Sequence, residues 1–312
     1  MFRLNPLRLA TFVLLVISLA LYAGFGGFFA REIVAEIAIL AVLAIALDVA
    51  AGFGGMVSLA HGAIMGVGAY VYALAGQNGM TPWPAAASGI AAAGLTGALI
   101  GVVTGRTQGV YFIMATLAFG QMIWALTFSA DWLGGDNGLG GIMRPSLPFS
   151  DLTDPLSFAL YAIAVIVIVF GLATLFLRSA LGRTFEAVHE NPQRAASLGL
   201  SLIRVRTIGF AASSALAGFA GVLAAQHMQF ISPAMMVWTA SGEVLVVLIL
   251  GGIGTLVGPA LGATVFVTLK YWSAGWTDHW HLIIGAVLIA VVLAGGHGIY
   301  GQFERWYRHA FG

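Results

Sequence analysis

From Leu9 to Ala30 the chain carries no charged side chain, and apolar stretches of this length recur almost to its end. A helix needs about 20 apolar residues to cross the hydrocarbon core of a bilayer. Measured against that length, and with Gly, Pro or charge as punctuation, the runs are 9–30, 33–51, 56–75, 83–104, 109–130, 156–177 and 206–227. Residues 243–272 are too long for one span and are cut by "GGIGTLVGP", which predicts two short helices meeting at a Gly-Pro break. A last run covers about 281–297. The expected fold is an all-α integral membrane protein: one polytopic bundle over residues 1–312, of about ten crossings, with broken and short helices among them.

Composition closes the soluble alternative. Charged residues make up 8% of the chain, where soluble domains carry about 25%. So few charges cannot cover a water-facing surface, and lipid is the expected surround. A net charge of +1 says nothing about nucleic acid, and no nucleic-acid partner is expected. The absence of cysteine excludes disulfides, thiolate catalysis and zinc–sulfur sites. The first run is longer than the ~7–15-residue core of a signal peptide. Its far end, Phe28-Phe29-Ala30, offers bulky residues where cleavage wants small ones. A first membrane span is therefore expected.

Cytoplasmic loops gather Lys and Arg. With the N-terminus placed in the cytoplasm and the spans alternated, ten arginines fall inside: Arg3, Arg8, Arg106, Arg178, Arg183, Arg194, Arg204, Arg206, Arg305 and Arg308. Only Arg31, Arg144 and Lys270 fall outside, together with Asp131, Asp136, Asp151, Asp154 and Asp278. Both termini are expected in the cytoplasm, and so is the polar segment "GRTFEAVHENPQRAASLGLSLIRVR". In the run 206–227, Ser214, Ala217, Gly218 and Gly221 form overlapping small-x-x-x-small pairs, which let helices pack closely in lipid.

The loop at about 179–205 has internal order. The preceding helix is expected to run on through "LRSALGRTFEAVHE". Asn191 is a good N-cap, Pro192 suits the first helical position and Gly199 suits the C-terminal cap. A separate helix over Pro192–Leu198 is predicted, too short to be stable alone and so expected to dock on a partner. The arginines at the loop's ends read as topology anchors.

The segments "AVHENPQRAASLGL", "FAASSALAGFAGVLAA" and "ISPAMMVWTASGEVLVVLILGGIGTLVGPALGA" resemble the permeases of branched-chain amino acid importers of the ATP-binding-cassette class. Upstream, "GFGGMVSLAHGAIMGVGAY", "GVYFIMATLAFGQ" and "GGDNGLGGI" match the same family and favour its M-type subunit over the H-type sister. The likeness runs from about Leu47 to Ile299; the first ~45 residues share only apolarity. Many members carry Arg where this chain has His189, which alters the electrostatics of docking. The resemblance implies a homologous second permease of H type, two cytoplasmic ATPases and a periplasmic substrate-binding protein, in a bacterial inner membrane. It places Glu186, Glu190, Asn191, Pro192, Arg194 and Gly199 at positions of the loop that couples to the ATPases. ATP chemistry is expected on the partners, with no cofactor and no catalytic residue here: no G-x-x-x-x-G-K-[ST] occurs, and "GGIGTLVG" lacks the Lys.

The translocation path is less legible. Irregular backbone at membrane depth is tolerated only where protein buries it or water lines it, and the breaks at 52–62 and 251–262 qualify. They read equally as pathway-flanking interruptions or as glycines that permit tight packing, and they do not fall at equivalent spans. Polar residues inside apolar runs point to function by default. Ser58, His61 and Glu243 are candidates on that ground, and Asn137, beside Asp136 in "GGDNGLGG", is a candidate for the external mouth. His61 reads equally as a structural histidine. Glu243 fits an interfacial carboxylate, Asp48 a structural cap or ion pair, and the 134–141 loop an ordinary Gly-rich turn. His279 and His281 lack further ligands, so no metal is expected. The reading is an ATP-driven importer subunit for a branched-chain amino acid, or within the same family for urea, short amides or aromatic acids. The rivals are an ion-coupled secondary transporter, which would need a buried coupling acid and would work alone, and a membrane enzyme.

Overall fold

The computed structural model describes residues 6–146, 151–277, 279–293 and 298–311. Within them the helices are α1 (Pro6–Phe25), α2 (Phe28–Asp48), α3 (His61–Gln77), α4 (Pro82–Thr104), α5 (Val110–Ser129), α6 (Pro155–Arg178), α7 (Ala180–Glu190), α8 (Pro192–Ser197), α9 (Leu202–Met228), α10 (Trp238–Gly251), α11 (Gly258–Ala274), α12 (Trp280–Leu293) and α13 (Gly298–Phe311). A π-helical turn, Val49–Phe53, extends α2. The described strands, β1 (Leu139–Gly140) and β2 (Phe230–Ile231), form one short antiparallel pair.

Among the described residues, six helices are long and apolar enough to cross a membrane: α1, α2 with its π turn, α4, α5, α6 and α9. The chain is an all-α, multi-pass membrane protein. The shorter α3, α10, α11 and α12 complete the bundle. Helices α2 and α9 are buried along most of their length, whereas α1, α4 and α5 turn most of theirs outward. The small-residue pattern of α9 explains its central place. Gly218 lies against Ile90 and Ala93 of α4, and a Cβ on Gly221 would stand 2.0 Å from the Met65 carbonyl oxygen of α3. Backbones this close exclude any side chain, and in lipid such contacts replace the missing hydrophobic drive between helices.

Several boundaries differ from the sequence expectation. The first run, 9–30, spans a Gly26-Gly27 turn, so α1 ends at Phe25 and α2 begins at Phe28. The third run, 56–75, begins as irregular backbone and becomes helical only at His61. Helix α6 does not continue through "LRSALGRTFEAVHE". It ends at Arg178, and Ser179 takes an extended conformation and accepts from the Gly182 N–H to cap a new helix, α7. The hydroxyl directly after Phe-Leu-Arg competes for the backbone, which is how Ser ends one helix and starts another. The predicted pair of short helices around "GGIGTLVGP" is present as α10 and α11.

Arg206 is no solvated anchor. It is buried, donates to the Gly105 carbonyl at the end of α4 at 3.2 Å, and meets the Gln108 amide oxygen at 2.8 Å. A cation there satisfies a carbonyl left open at a helix C-terminus. Arg144 does the same for α9, donating to the carbonyls of Gln226 and His227 at 2.8 and 3.0 Å while its guanidinium covers the Phe158 ring. Outside the bundle, Asp154 caps α6 by accepting from the Ser157 N–H, which holds its carboxyl below the ordinary carboxylate range. Arg3 and Asp278, both used in the charge count, lie outside the described residues, as does the Arg308 side chain.

Candidate functional site

Helix α10 has 14 residues, a rise of about 21 Å against a hydrocarbon core of about 30 Å. The irregular segment 252–257 that follows it is largely buried within the protein, where each backbone N–H needs a partner. Asp48, at the end of α2, supplies two. Its carboxylate oxygens accept from the Gly254 N–H at 2.6 Å and the Leu256 N–H at 2.9 Å. Thr255 Oγ1 accepts from Gly258 N and donates to the Gly252 carbonyl. Leu256 is fully buried with a left-handed backbone, φ 64°, a conformation that costs about 1–2 kcal/mol for a residue with a Cβ. The flanking hydrogen bonds hold it there.

The first break in chain order, between the π turn and α3, is satisfied in the same way. Ser58 Oγ accepts from Ala60 N, Thr116 Oγ1 of α5 from Leu59 N, and Ser241 Oγ of α10 from Gly62 N. Met56 N donates back to the Ala50 carbonyl. The two breaks meet at Gly52. A Cβ there would lie 2.2 Å from Asp48 Oδ1 and 2.5 Å from Gly254 N, so only glycine allows the approach. The segments that fall at non-equivalent spans in the sequence thus form one joined structure.

His61 opens α3 and is fully buried. Its Nε2 lies 2.8 Å from Ser213 Oγ, and Ser213 in turn donates to the Ala46 carbonyl at 2.6 Å. Since the single hydroxyl proton is used on Ala46, Nε2 must carry the imidazole proton and donate to Ser213. His61 thereby ties α3, α9 and α2 together, and its ring meets Phe210 edge-on. Ser58 and His61 belong to this polar knot around the breaks. Asn137 and Glu243 do not: Asn137 is exposed in the turn before β1, and Glu243 is exposed on α10.

The loop residues form a second cluster. Asn191 is extended, and its Oδ1 accepts from Arg194 N at 2.9 Å. Pro192 opens α8, and Gly199 closes it with φ 82°. The predicted helix Pro192–Leu198 is present as Pro192–Ser197. Glu190, Asn191, Arg194 and Gly199 are exposed, Glu186 is half-buried, and Leu198 is 76% exposed at the end of α8. Helix α7 beneath it buries Gly182, Phe185 and Val188, one face at three-residue spacing.

Several residues of these clusters have no mark in the sequence that would single them out. Thr116, Ser213 and Ser241 are small hydroxyls in apolar helices, and Thr and Ser occur there commonly enough to pass unnoticed. Phe185 is one of 20 phenylalanines. Its placement among charged residues, on the inward face of an amphipathic helix, is the one signal that could have found it.

The model of the family described as branched-chain amino acid transport system / permease component matches residues 29–292. The high-affinity branched-chain amino acid transport system permease protein LivM of Salmonella typhimurium is 31% identical over 264 residues, covering 75% of this chain and 61% of that protein. LivM of Escherichia coli K12 matches with the same identity and coverage. The autoinducer 2 import system permease protein LsrC of Escherichia coli O9:H4 is 32% identical over 173 residues, 50% of this chain and 49% of that protein. The chain thus spans less than two thirds of the length of these relatives. No solved structure matches it. The matched region takes in both breaks, the knot between them and the α7–α8 loop, and this chain belongs to the family described as branched-chain amino acid transport system / permease component.

Proposed function

We propose that the chain is the membrane-spanning subunit of an ATP-binding-cassette importer, and that its cargo is a branched-chain amino acid. The observation that carries the reading is the α7–α8 loop. A six-residue helix is not stable by itself, yet α8 is capped at both ends and stands at the surface with Asn191, Arg194 and the apolar Leu198 outward. Such a preformed, exposed element fits a groove on a partner, and two ATPases are the partners proposed. A homologous second permease completes the path, and a periplasmic binding protein delivers the solute.

In this reading the chain acts as one transmembrane unit in the inner membrane, with both termini in the cytoplasm. The crossings number about ten when α3, α10, α11 and α12 are counted with the six long helices. Glu186, Glu190, Asn191, Pro192, Arg194 and Gly199 make up the coupling surface. Ser58 and His61 shape the walls of the path, and Asn137 and Glu243 belong to its outer mouth. The LsrC relatives favour a second cargo class, other small polar solutes.

The test is uptake into proteoliposomes, with and without the ATPases and the binding protein. An absolute requirement for both is expected, and uptake by this chain alone would overturn the reading. Replacing Asn191 and Pro192 together with glycine is expected to leave ATP hydrolysis running while uptake falls; unchanged coupled uptake refutes the role of α8. Leucine, valine, urea and autoinducer 2 offered to the binding protein decide the cargo.

A further inference from the structure

Helix α7 is keyed into the first break by one aromatic ring. Phe185 is 1% exposed and lies between Gly54, just past the π turn, and Gly209 of α9. A Cβ on Gly54 would stand 2.0 Å from the ring's Cζ, and one on Gly209 would stand 2.3 Å from Cε2. One turn further along, the His189 ring covers Gly55, whose Cβ would lie 2.1 Å from Nδ1. Gly54 and Gly55 are two and three residues from Gly52, the point where the first break touches the second.

The ends of α7 complete the device. Ser179 joins it to α6 and Asn191 joins it to α8, each a single residue in extended conformation. An 11-residue helix, about 16 Å long, is thus pivoted at both ends and fixed at its middle by Phe185. Displacement of α8 has a short, packed route to the joined breaks, through a ring that fills a hole made by two glycines.

We propose that Phe185 is the positioning residue through which the α8 helix moves the two breaks, with His189 as a second contact on Gly55. The proposal rests on the ATP-driven reading above. It explains why a loop outside the bundle buries its largest apolar side chain against the most irregular backbone in the core. The chain length between α6 and α9 alone would not require that contact.

The test uses the assembled complex in proteoliposomes and reads ATP hydrolysis and uptake in the same sample. In Phe185→Ala, hydrolysis is expected to persist while uptake per ATP falls about tenfold, within the range typical of coupling between sites. Gly209→Ala is expected to lower the same ratio, since the three atoms nearest its new methyl all belong to the Phe185 ring. Phe185→Leu combined with Gly209→Ala conserves the filled volume and is expected to restore the ratio. A merely structural role would lower hydrolysis and uptake together, in step with the amount of complex. If Phe185→Ala does not assemble, the Gly209→Ala and double variants carry the test. Wild-type ratios in the single variants, or failure of the double variant to recover, would overturn the proposal while leaving the importer reading intact. Loss of ATP dependence in the wild type would overturn both.

Discussion

Removing the Asp48 carboxylate tests whether the two breaks are held as one unit. The side chain is fully buried and accepts two backbone N–H groups, from Gly254 at 2.6 Å and Leu256 at 2.9 Å. Asp48→Ala leaves both without that acceptor in the interior of the protein. Each buried donor left unsatisfied costs about 1–3 kcal/mol, so the local penalty is about 2–6 kcal/mol. At the lower end, an opening constant for the 252–257 segment rises about thirtyfold, since about 1.4 kcal/mol corresponds to tenfold. Asp48→Asn retains one oxygen acceptor and turns an NH2 group toward the other N–H, so it is expected to fall between the wild type and Ala. Hydrogen exchange at the Gly254 and Leu256 amides, in lipid nanodiscs, reads the effect directly. Amides in the middle of α9, such as Ala217, serve as the internal reference. Gly52→Ala should raise exchange at the same two amides, because its Cβ falls on Asp48 and Gly254 together. The double variant should then be less than additive, as for groups in one network. If Gly254 and Leu256 exchange in Asp48→Ala as they do in the wild type, the carboxylate is not what holds the breaks and the account of their joining fails.

Two further perturbations check other parts of the bundle. Gly221→Val places a side chain where a Cβ alone would stand 2.0 Å from the Met65 carbonyl oxygen; separating α9 from α3 should cost at least about 1–3 kcal/mol, as for overpacked cores, and lower the melting temperature of the purified protein. His61→Ala removes a fully buried ring and its bond to Ser213; a loss of about 2–4 kcal/mol, as for other large-to-small core changes, is expected in the same melt, whereas His61→Gln, which can still donate to Ser213, should recover most of it.

The helices were legible because their physics is one-dimensional. A run of apolar residues long enough to cross lipid is visible as such, and Asn191, Pro192 and Gly199 announce α8 by local chemistry. The boundaries that moved did so for local reasons too. Gly26-Gly27 sits inside an unbroken apolar run, so hydropathy passes over the turn between α1 and α2. Ser179 is a single hydroxyl in a helical-looking stretch, and only its extended backbone reveals that it ends α6 and caps α7. Arg206 has the same charge whether it faces water or the end of α4, and the contact with Gly105, 101 residues away, is what decides.

The joining of the breaks was not legible, and the reason is specific. Each break looks alike in sequence, a cluster of glycines in an apolar run, and a search for symmetry between them finds none. What joins them is a carboxylate at Asp48 and two amides more than 200 residues further along. A polar residue in an apolar run is read as functional because burying it unpaired is costly. The same cost applies to backbone, and a broken helix presents several such groups at once. Asp48, Ser58, Thr116, Ser241 and Thr255 each accept at least one of those N–H groups. His61 instead ties the helix that follows the first break to α9. The intramembrane polar residues of this chain are therefore first a response to its interrupted helices. A breakable clamp of this kind is also what a pathway that must open requires: the breaks are held by a few hydrogen bonds and one glycine contact rather than by a continuous helix. Movement there would cost a few bonds, and it would be reached directly from α7 through Phe185.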